Sequence, residues 1–302
     1  MKEDKKQKKM LFVVNPQSGT HDKEQILHLI NDRIDSTRYS VEIRLTQYAG
    51  HAVEIAAQAA KEQVFAVVAV GGDGTMNEVG RSLIGSKTAM GIIPCGSGNG
   101  LARHLQIPMD ARRAVDLLNA GIVTPIDYGL INEHPFFCTC GVGFDASVSK
   151  KFGEAGRRGL LTYFEKTLRE SLNYQSEMYE LETEEGMIAD RAFLIACGNA
   201  SQYGNNAYIT PLADLSDGLL DVTMILPFNI LDVPALAFQL FNRTINQNRH
   251  IHSFRCRKLC IKRTQEGMAH FDGDPVKLGR IIHIELIHHG INVLIPPKKI
   301  IH

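Results

Sequence analysis

The chain has 302 residues, with 33 Lys plus Arg against 33 Asp plus Glu, so its formal net charge is zero. That balance removes a whole-chain electrostatic case for nucleic acid, and 44 % hydrophobic against 22 % charged residues excludes a disordered chain. Six cysteines without paired C-x2-C spacing exclude a disulfide scaffold and a zinc knuckle, and read as reduced, half-buried thiols of a cytosolic protein.

In chain order, the five lysines among the first ten residues read as a solvated arm. The apolar run Met10–Val14 behind them is too short for a signal peptide and reads as a strand. Asp22–Ile34 sets Ile26, Leu27, Ile30 and Ile34 on one helical face. Val41, Ile43 and Leu45 alternate as in a half-buried strand, and the Ala-rich His51–Lys61 reads as helix. Val64–Val70 is continuously apolar, as a parallel strand covered on both faces must be. Ala89–Pro94 is a further strand, and Leu101–His104 and Arg112–Asn119 are helical. This alternation predicts a doubly wound α/β domain, whose ligands sit beyond the carboxyl ends of the strands.

The pattern changes near Asp127. Phe136–Thr139, Tyr179–Thr183, Arg191–Cys197, Leu220–Leu226, Cys256–Arg263 and Ile281–Leu286 read as strands, interrupted by helices at Leu160–Leu172 and Leu231–Asn242. A C-terminal, mainly antiparallel β-sandwich domain fits best. The expected boundaries are 1–128 and 129–302, with Ile291–Ile295 free to return to the first domain. No run approaches the ~18 apolar residues of a membrane-spanning helix.

Three decoys fail. Gly80–Thr88 imitates a phosphate-binding P-loop with one residue too many before its lysine, and it follows a helix. Gly96-Ser97-Gly98-Asn99-Gly100 is not G-x-G-x-x-G, and no histidine pair has H-E-x-x-H spacing. The strongest signal is Gly71-Gly72-Asp73-Gly74-Thr75-Met76-Asn77-Glu78, directly after the buried strand and opening a helix. Glycines at a strand tip allow close backbone approach, and the helix amino end attracts phosphate. Asp73 beside a polyphosphate calls for a bridging Mg2+. Thr75 and Glu78 also have capping-box spacing and are expected to start the helix. Gly96 and Ser97 lie in a second glycine loop, and Asn15 opens a third polar loop after the first strand. In the β domain two acidic turns stand out, Asp214–Asp221 and Asp272-Gly273-Asp274, and Asp-Gly alone is ordinary hairpin chemistry.

Taken together, Asn15-Pro16, Gly71–Val79, Pro94–Ala102, Gly143-Phe144-Asp145-Ala146, Pro211–Asp221 and Asp272–Asp274 resemble the diacylglycerol kinase catalytic family. That family includes bacterial lipid kinases and the sphingosine and ceramide kinases. The resemblance covers nearly the whole chain in order. It implies an active site in a cleft between the two domains and transfer of the γ-phosphate of ATP, with Mg2+, to a lipid hydroxyl in phospholipid metabolism. It implies that Gly71, Gly72, Asp73, Gly74, Thr75, Met76 and Asn77 hold the nucleotide phosphates, with Asn15, Thr46, Gly96 and Ser97 lining the same site. Asp73 would position Mg2+-ATP, and Asp272 would be the general base with Asp274 beside it. Asp214, Asp217 and the Leu219 carbonyl would hold a structural metal.

Two departures stand out. Asp274 replaces the usual Glu of D-G-E. The second loop, Gly-Ser-Gly-Asn-Gly-Leu-Ala, is nearer to sphingoid and ceramide kinases than to G-T-x-N-D-F-A. An NAD kinase and a catalytically silent nucleotide- or lipid-binding regulator are the rival readings. A lipid substrate implies peripheral membrane contact, no nucleic acid partner is expected, and a homodimer stays open.

Overall fold

The computed structural model describes residues 7–19, 23–144 and 176–297. The expected helix Leu160–Leu172, Asp145 and Ala146, and most of the lysine-rich arm lie outside the described residues. The chain divides into two compact units, Met1–Ile126 with His289–His302, and Asp127–His288.

The first unit is built on the parallel strands β1 (Lys8–Val14), β2 (Tyr39–Leu45), β3 (Ala66–Gly71) and β4 (Ala89–Pro94), in the order β2-β1-β3-β4. Helices α1 (Lys23–Arg33), α2 (His51–Lys61), α3 (Asp73–Leu83), α4 (Gly100–His104) and α5 (Ala111–Ala120) connect them. Every residue of β3 and β4 is buried, as continuous apolar runs require of strands covered on both faces. β2 is different. It lies at the sheet edge, so the Val41–Leu45 face expected to be half-buried leaves Val41 37 % and Leu45 50 % exposed. The end of the last strand, Ile281–Ile295, adds beside β4 in parallel, with Val293 opposite Met90.

The second unit contains β5 (Ile122–Ile131, from Asp127 on), β6 (His134–Phe136), β7 (Thr139–Gly143), β8 (Glu177–Thr183), β9 (Gly186–Ala192), β10 (Leu194–Gly198), β11 (Leu220–Ile225), α6 (Val233–Phe241), β12 (Ile251–Cys256), β13 (Lys258–Arg263), β14 (Gly267–Phe271), β15 (Asp274–Leu278) and the first half of β16 (Ile281–Ile295). One antiparallel sheet runs β12-β11-β10-β7-β14-β15, and a second antiparallel set runs β16-β13-β8-β9. The fold is thus a parallel α/β domain followed by an antiparallel β-sandwich.

Three expected strands are cut differently, each for a local reason. Phe136–Thr139 is not one strand but the end of β6 and the start of β7, because the Phe137 and Cys138 amides leave the ladder for the Asp272 carboxylate. Cys256–Arg263 changes sheet at Arg257, giving β12 and β13. Arg191–Cys197 breaks at Phe193, whose N–H donates to the Ile225 carbonyl at 2.7 Å.

Alternation along β10 feeds two cores. Ile195 and Cys197 face the sandwich interior with Tyr179, Leu181, Val222 and Ile261. Leu194 and Ala196 face the opposite way, onto Val233, Leu236, Ala237 and Leu240 of α6. Leu240→Ala should therefore cost about 2–5 kcal/mol in urea unfolding, whereas Phe238→Ala on the outer face, 59 % exposed, should stay within about 0.5 kcal/mol. Equal losses at the two positions would contradict this packing of α6.

Candidate active site

The order β2-β1-β3-β4 puts a topological switch point between β1 and β3, since the chain leaves β1 to one side and returns on the other. The loops after these strands carry the sequence signals. Asn15, half-buried at the end of β1, donates through Nδ2 to Thr75 Oγ1 at 3.4 Å, and its Oδ1 accepts from the Gln17 amide at 3.0 Å. The N-cap of α3 is Gly72, which brings no side chain to the first amides of the helix. The expected capping box is absent: Glu78 instead accepts the Gly50 amide at 2.9 Å, which ties α3 to the start of α2.

Asp73 joins two loops. Its Oδ2 accepts the Asn99 amide and its Oδ1 the Gly100 amide, each at 2.8 Å, so a residue of α3 binds the amino end of α4. Asn99 takes a left-handed conformation (φ 51°) and pins its own loop, with Oδ1 accepting the Gly96 amide at 3.1 Å and Nδ2 donating to the Gly96 carbonyl at 2.7 Å. The backbones of the loops then touch. A Cβ on Gly96 would lie 2.7 Å from the Gly72 Cα, which only glycine avoids.

A cavity of about 220 Å³ opens beside these loops, lined by Asn15, Thr46, Gly74, Thr75 and Glu78 among others. Of the sequence-derived residues, Asn15, Thr46, Gly74 and Thr75 meet there, while Met76 is 2 % and Asn77 3 % exposed, inside the unit. Gly71, Gly72, Asp73, Gly96 and Ser97 shape the neighbouring loops without lining the cavity. Sequence reading missed Gln47 and Tyr48. Their position just beyond β2 was the available signal. Tyr48 stacks on His51 with ring centroids 4.6 Å apart, and the Glu54 carboxylate that accepts its hydroxyl pushes its pKa up.

In the second unit, the loop before β11 is held from two sides. Buried Asp127 donates its amide to the Leu215 carbonyl at 2.7 Å and accepts the Gly218 amide at 2.8 Å. Arg255 on β12 reaches Asp217 Oδ2 at 2.8 Å, Asp221 Oδ2 at 3.0 Å and the Leu212 carbonyl at 3.3 Å. Asp214 accepts from the amide and hydroxyl of Ser216, and the Leu219 amide donates to Asp217 Oδ1 at 3.0 Å. Neither Asp214 nor Asp217 belongs to a cluster of three or more ligating side chains among the described residues. The Arg255 guanidinium occupies one oxygen of Asp217, together with Asp221 and the Leu212 carbonyl; Asp214 and the Leu219 carbonyl, the other two groups of the expected metal site, lie outside these contacts. Arg255 and Asp127 were not singled out in the sequence.

Asp272 and Gly273 form the two-residue turn between β14 and β15, both with positive φ (49° and 91°). The Asp272 carboxylate accepts the amides of Phe137 at 2.8 Å, Cys138 at 2.7 Å and Thr139 at 3.2 Å, and its own amide donates to the Thr139 carbonyl at 2.8 Å. Asp274, at the head of β15, is exposed.

Residues 9–131 match the family model described as the diacylglycerol kinase catalytic domain, and residues 138–283 match the YegS C-terminal NAD kinase beta sandwich-like domain. Among curated relatives, a probable lipid kinase YegS-like protein of Serratia proteamaculans (strain 568) is 26 % identical over 95 % of this chain and 94 % of its own length. One from Yersinia pseudotuberculosis serotype I (strain IP32953) is 26 % identical over 96 % and 97 %. A crystal structure described as a diacylglycerol kinase from Bacillus anthracis str. Sterne matches with a TM-score of 0.77 at 21 % identity, covering 97 % of this chain and 98 % of that one. A second structure from the same strain reaches 0.82 at 23 % with the same coverage. At these identities the structural likeness speaks for the fold alone.

The Arg255 clamp has a pH signature. Burial pushes the Asp221 carboxyl up, and Arg255 beside it opposes that shift. Protonated Asp221 needs no cation, so its stabilising term is full below the ordinary carboxyl range and is lost as pH rises through the raised value. Arg255→Met should therefore cost about 1–3 kcal/mol at pH 7 and markedly less near pH 4, read by urea unfolding at both. If Asp214, Asp217 and the Leu219 carbonyl hold a structural metal, excess EDTA should lower the wild-type Tm by more than about 2 °C; an unchanged Tm would leave the loop to Arg255 and Asp127 alone.

Proposed function

Since residues 9–131 match the diacylglycerol kinase catalytic domain and residues 138–283 the YegS C-terminal domain, we propose that the chain is a lipid kinase that moves the γ-phosphate of ATP, with Mg2+, onto a hydroxyl of a diacylglycerol- or sphingoid-type lipid. The observation that carries this reading is the amino end of α3 at the β1/β3 switch point. There the N-cap of α3 is Gly72, which contributes no side-chain cap, beside polar oxygens of Asn15, Thr46 and Thr75. Orphan helix amides and the positive end of the helix dipole are what a phosphate group needs.

Gly71–Asn77, with Gly96 and Ser97, would grip the nucleotide phosphates. Asp73 would hold the two loops at a fixed separation, and the carboxylate and hydroxyl oxygens of this region are hard donors suited to Mg2+. When bound, the metal neutralises charge on the phosphate oxygens, and transfer depends mainly on alignment. The proton of the acceptor hydroxyl goes to the Asp272–Asp274 turn. The resemblance assigns it to Asp272. The three amide donors on Asp272 favour a division in which Asp272 sets the turn and exposed Asp274 takes the proton. The Gly-Ser-Gly-Asn-Gly-Leu-Ala form of the second loop supports a sphingoid-like acceptor over diacylglycerol.

Transfer from γ-labelled Mg2+-ATP to dispersed sphingoid base, ceramide, diacylglycerol, phosphatidylglycerol and free NAD tests the proposal. One labelled lipid is expected. Labelled NADP would mean an NAD kinase, and ATP binding without any product would mean a silent binder. In the active assay, Asp274→Asn should lower kcat by ~10²–10⁴-fold at unchanged stability. Asp272→Asn should in addition lose about 1–3 kcal/mol, because its new NH2 faces backbone donors. Full turnover in Asp274→Asn would hand the proton back to Asp272.

A further inference from the structure

Helix α6 is apolar on both sides. Its inner face, Val233, Leu236, Ala237 and Leu240, is used by the core. Leu231, Pro234, Ala235 and Phe238, spaced i, i+3, i+4 and i+7, are all exposed. Leu231 is 85 % exposed, Phe238 59 % and the adjoining Ile230 47 %. A surface helix ordinarily turns polar residues outward, whereas this one turns apolar residues outward.

Charge around the stripe is net positive. Between Leu226 and His252 the chain has a single acid, Asp232, against Arg243 and Arg249. Asp232 is buried and committed, accepting Arg249 Nη2 at 2.6 Å and the Asn229 amide at 3.1 Å. The Arg249 side chain is 75 % exposed. Arg243, just beyond the carboxyl end of α6, is exposed with its guanidinium 4.1 Å above the Tyr208 ring. Apolar side chains framed by arginines suit one setting, the interface of an anionic bilayer. There the stripe enters the acyl boundary and the guanidinium groups meet lipid phosphates. A second copy suits it less, since apposing two such faces brings like charges together.

We infer that the outer face of α6 docks the protein on anionic phospholipid membranes. The inference names a surface for the lipid-kinase reading and rests on it for its purpose: among the described residues no helix is long and apolar enough to cross a membrane, so an acceptor held in a bilayer must be reached from its surface.

The chain has no tryptophan, so Phe238→Trp installs a single fluorescent reporter. Its emission should shift to the blue with phosphatidylglycerol vesicles and be quenched by brominated acyl chains, with no shift on pure phosphatidylcholine. Wild type should co-sediment with the anionic vesicles, and Leu231→Glu/Phe238→Glu should bind them at least about tenfold less. That double variant should still phosphorylate a short-chain, water-soluble acceptor at the wild-type rate. An indole that stays in water on anionic vesicles overturns the inference even if the kinase is active. A wild type that phosphorylates nothing yet docks sinks the kinase reading and leaves the docking face standing. Light scattering that shows the double variant falling from dimer to monomer, with vesicle binding unchanged, assigns the face to a second copy and overturns the inference.

Discussion

The Asp73 carboxylate, shared between the amides of Asn99 and Gly100, is the interaction on which the first unit's site depends. It makes one structure of the loop after β3 and the loop after β4, and it can do so only because Gly72 and Gly96 let two backbones meet. An acidic residue at the first turn of α3 is favourable to its own helix, and here it also satisfies the amino end of the next. Gly72 is therefore explained twice, by the close approach of the two loops and by an N-cap position that adds no side chain, while Gly71 leaves room for the Thr75 side chain.

The second unit solves a different electrostatic problem. Its acidic loop and its acidic turn both bring carboxylates near backbone groups that need partners. At the turn, Asp272 takes the amides of Phe137, Cys138 and Thr139 and so fixes where β6 ends and β7 begins. At the loop, Asp127 and Arg255 anchor residues 212–221 from opposite charges. A guanidinium can bind two carboxylates and a carbonyl at once with fixed geometry.

Much of the first unit was legible because its signals are local. Val64–Val70 and Ala89–Pro94 are continuous apolar runs, and Gly-Gly-Asp-Gly follows one of them directly. The second unit was less so. Gly267-Met-Ala-His-Phe lacks alternation, so β14 was not read, and β12 and β13 looked like one run because a change of sheet at Arg257 leaves no mark in composition. Arg255 was invisible for a related reason: its partners lie 34 and 38 residues away, at Asp221 and Asp217. Thr75 and Glu78 show the opposite failure. Their spacing suits a local cap, yet tertiary contacts with Asn15 and Gly50 claim both side chains.

The loops held in contact by Asp73 are proposed to form the phosphate site. Calorimetric titration of Mg2+-ATP into wild type and Gly96→Ala tests it most directly, because the added Cβ would press within 2.7 Å of the Gly72 Cα and force the loops apart. The account predicts saturable binding by wild type and affinity at least about tenfold weaker, or about 1.4 kcal/mol, in a variant whose circular dichroism is unchanged. Equal affinity in the two proteins would contradict it.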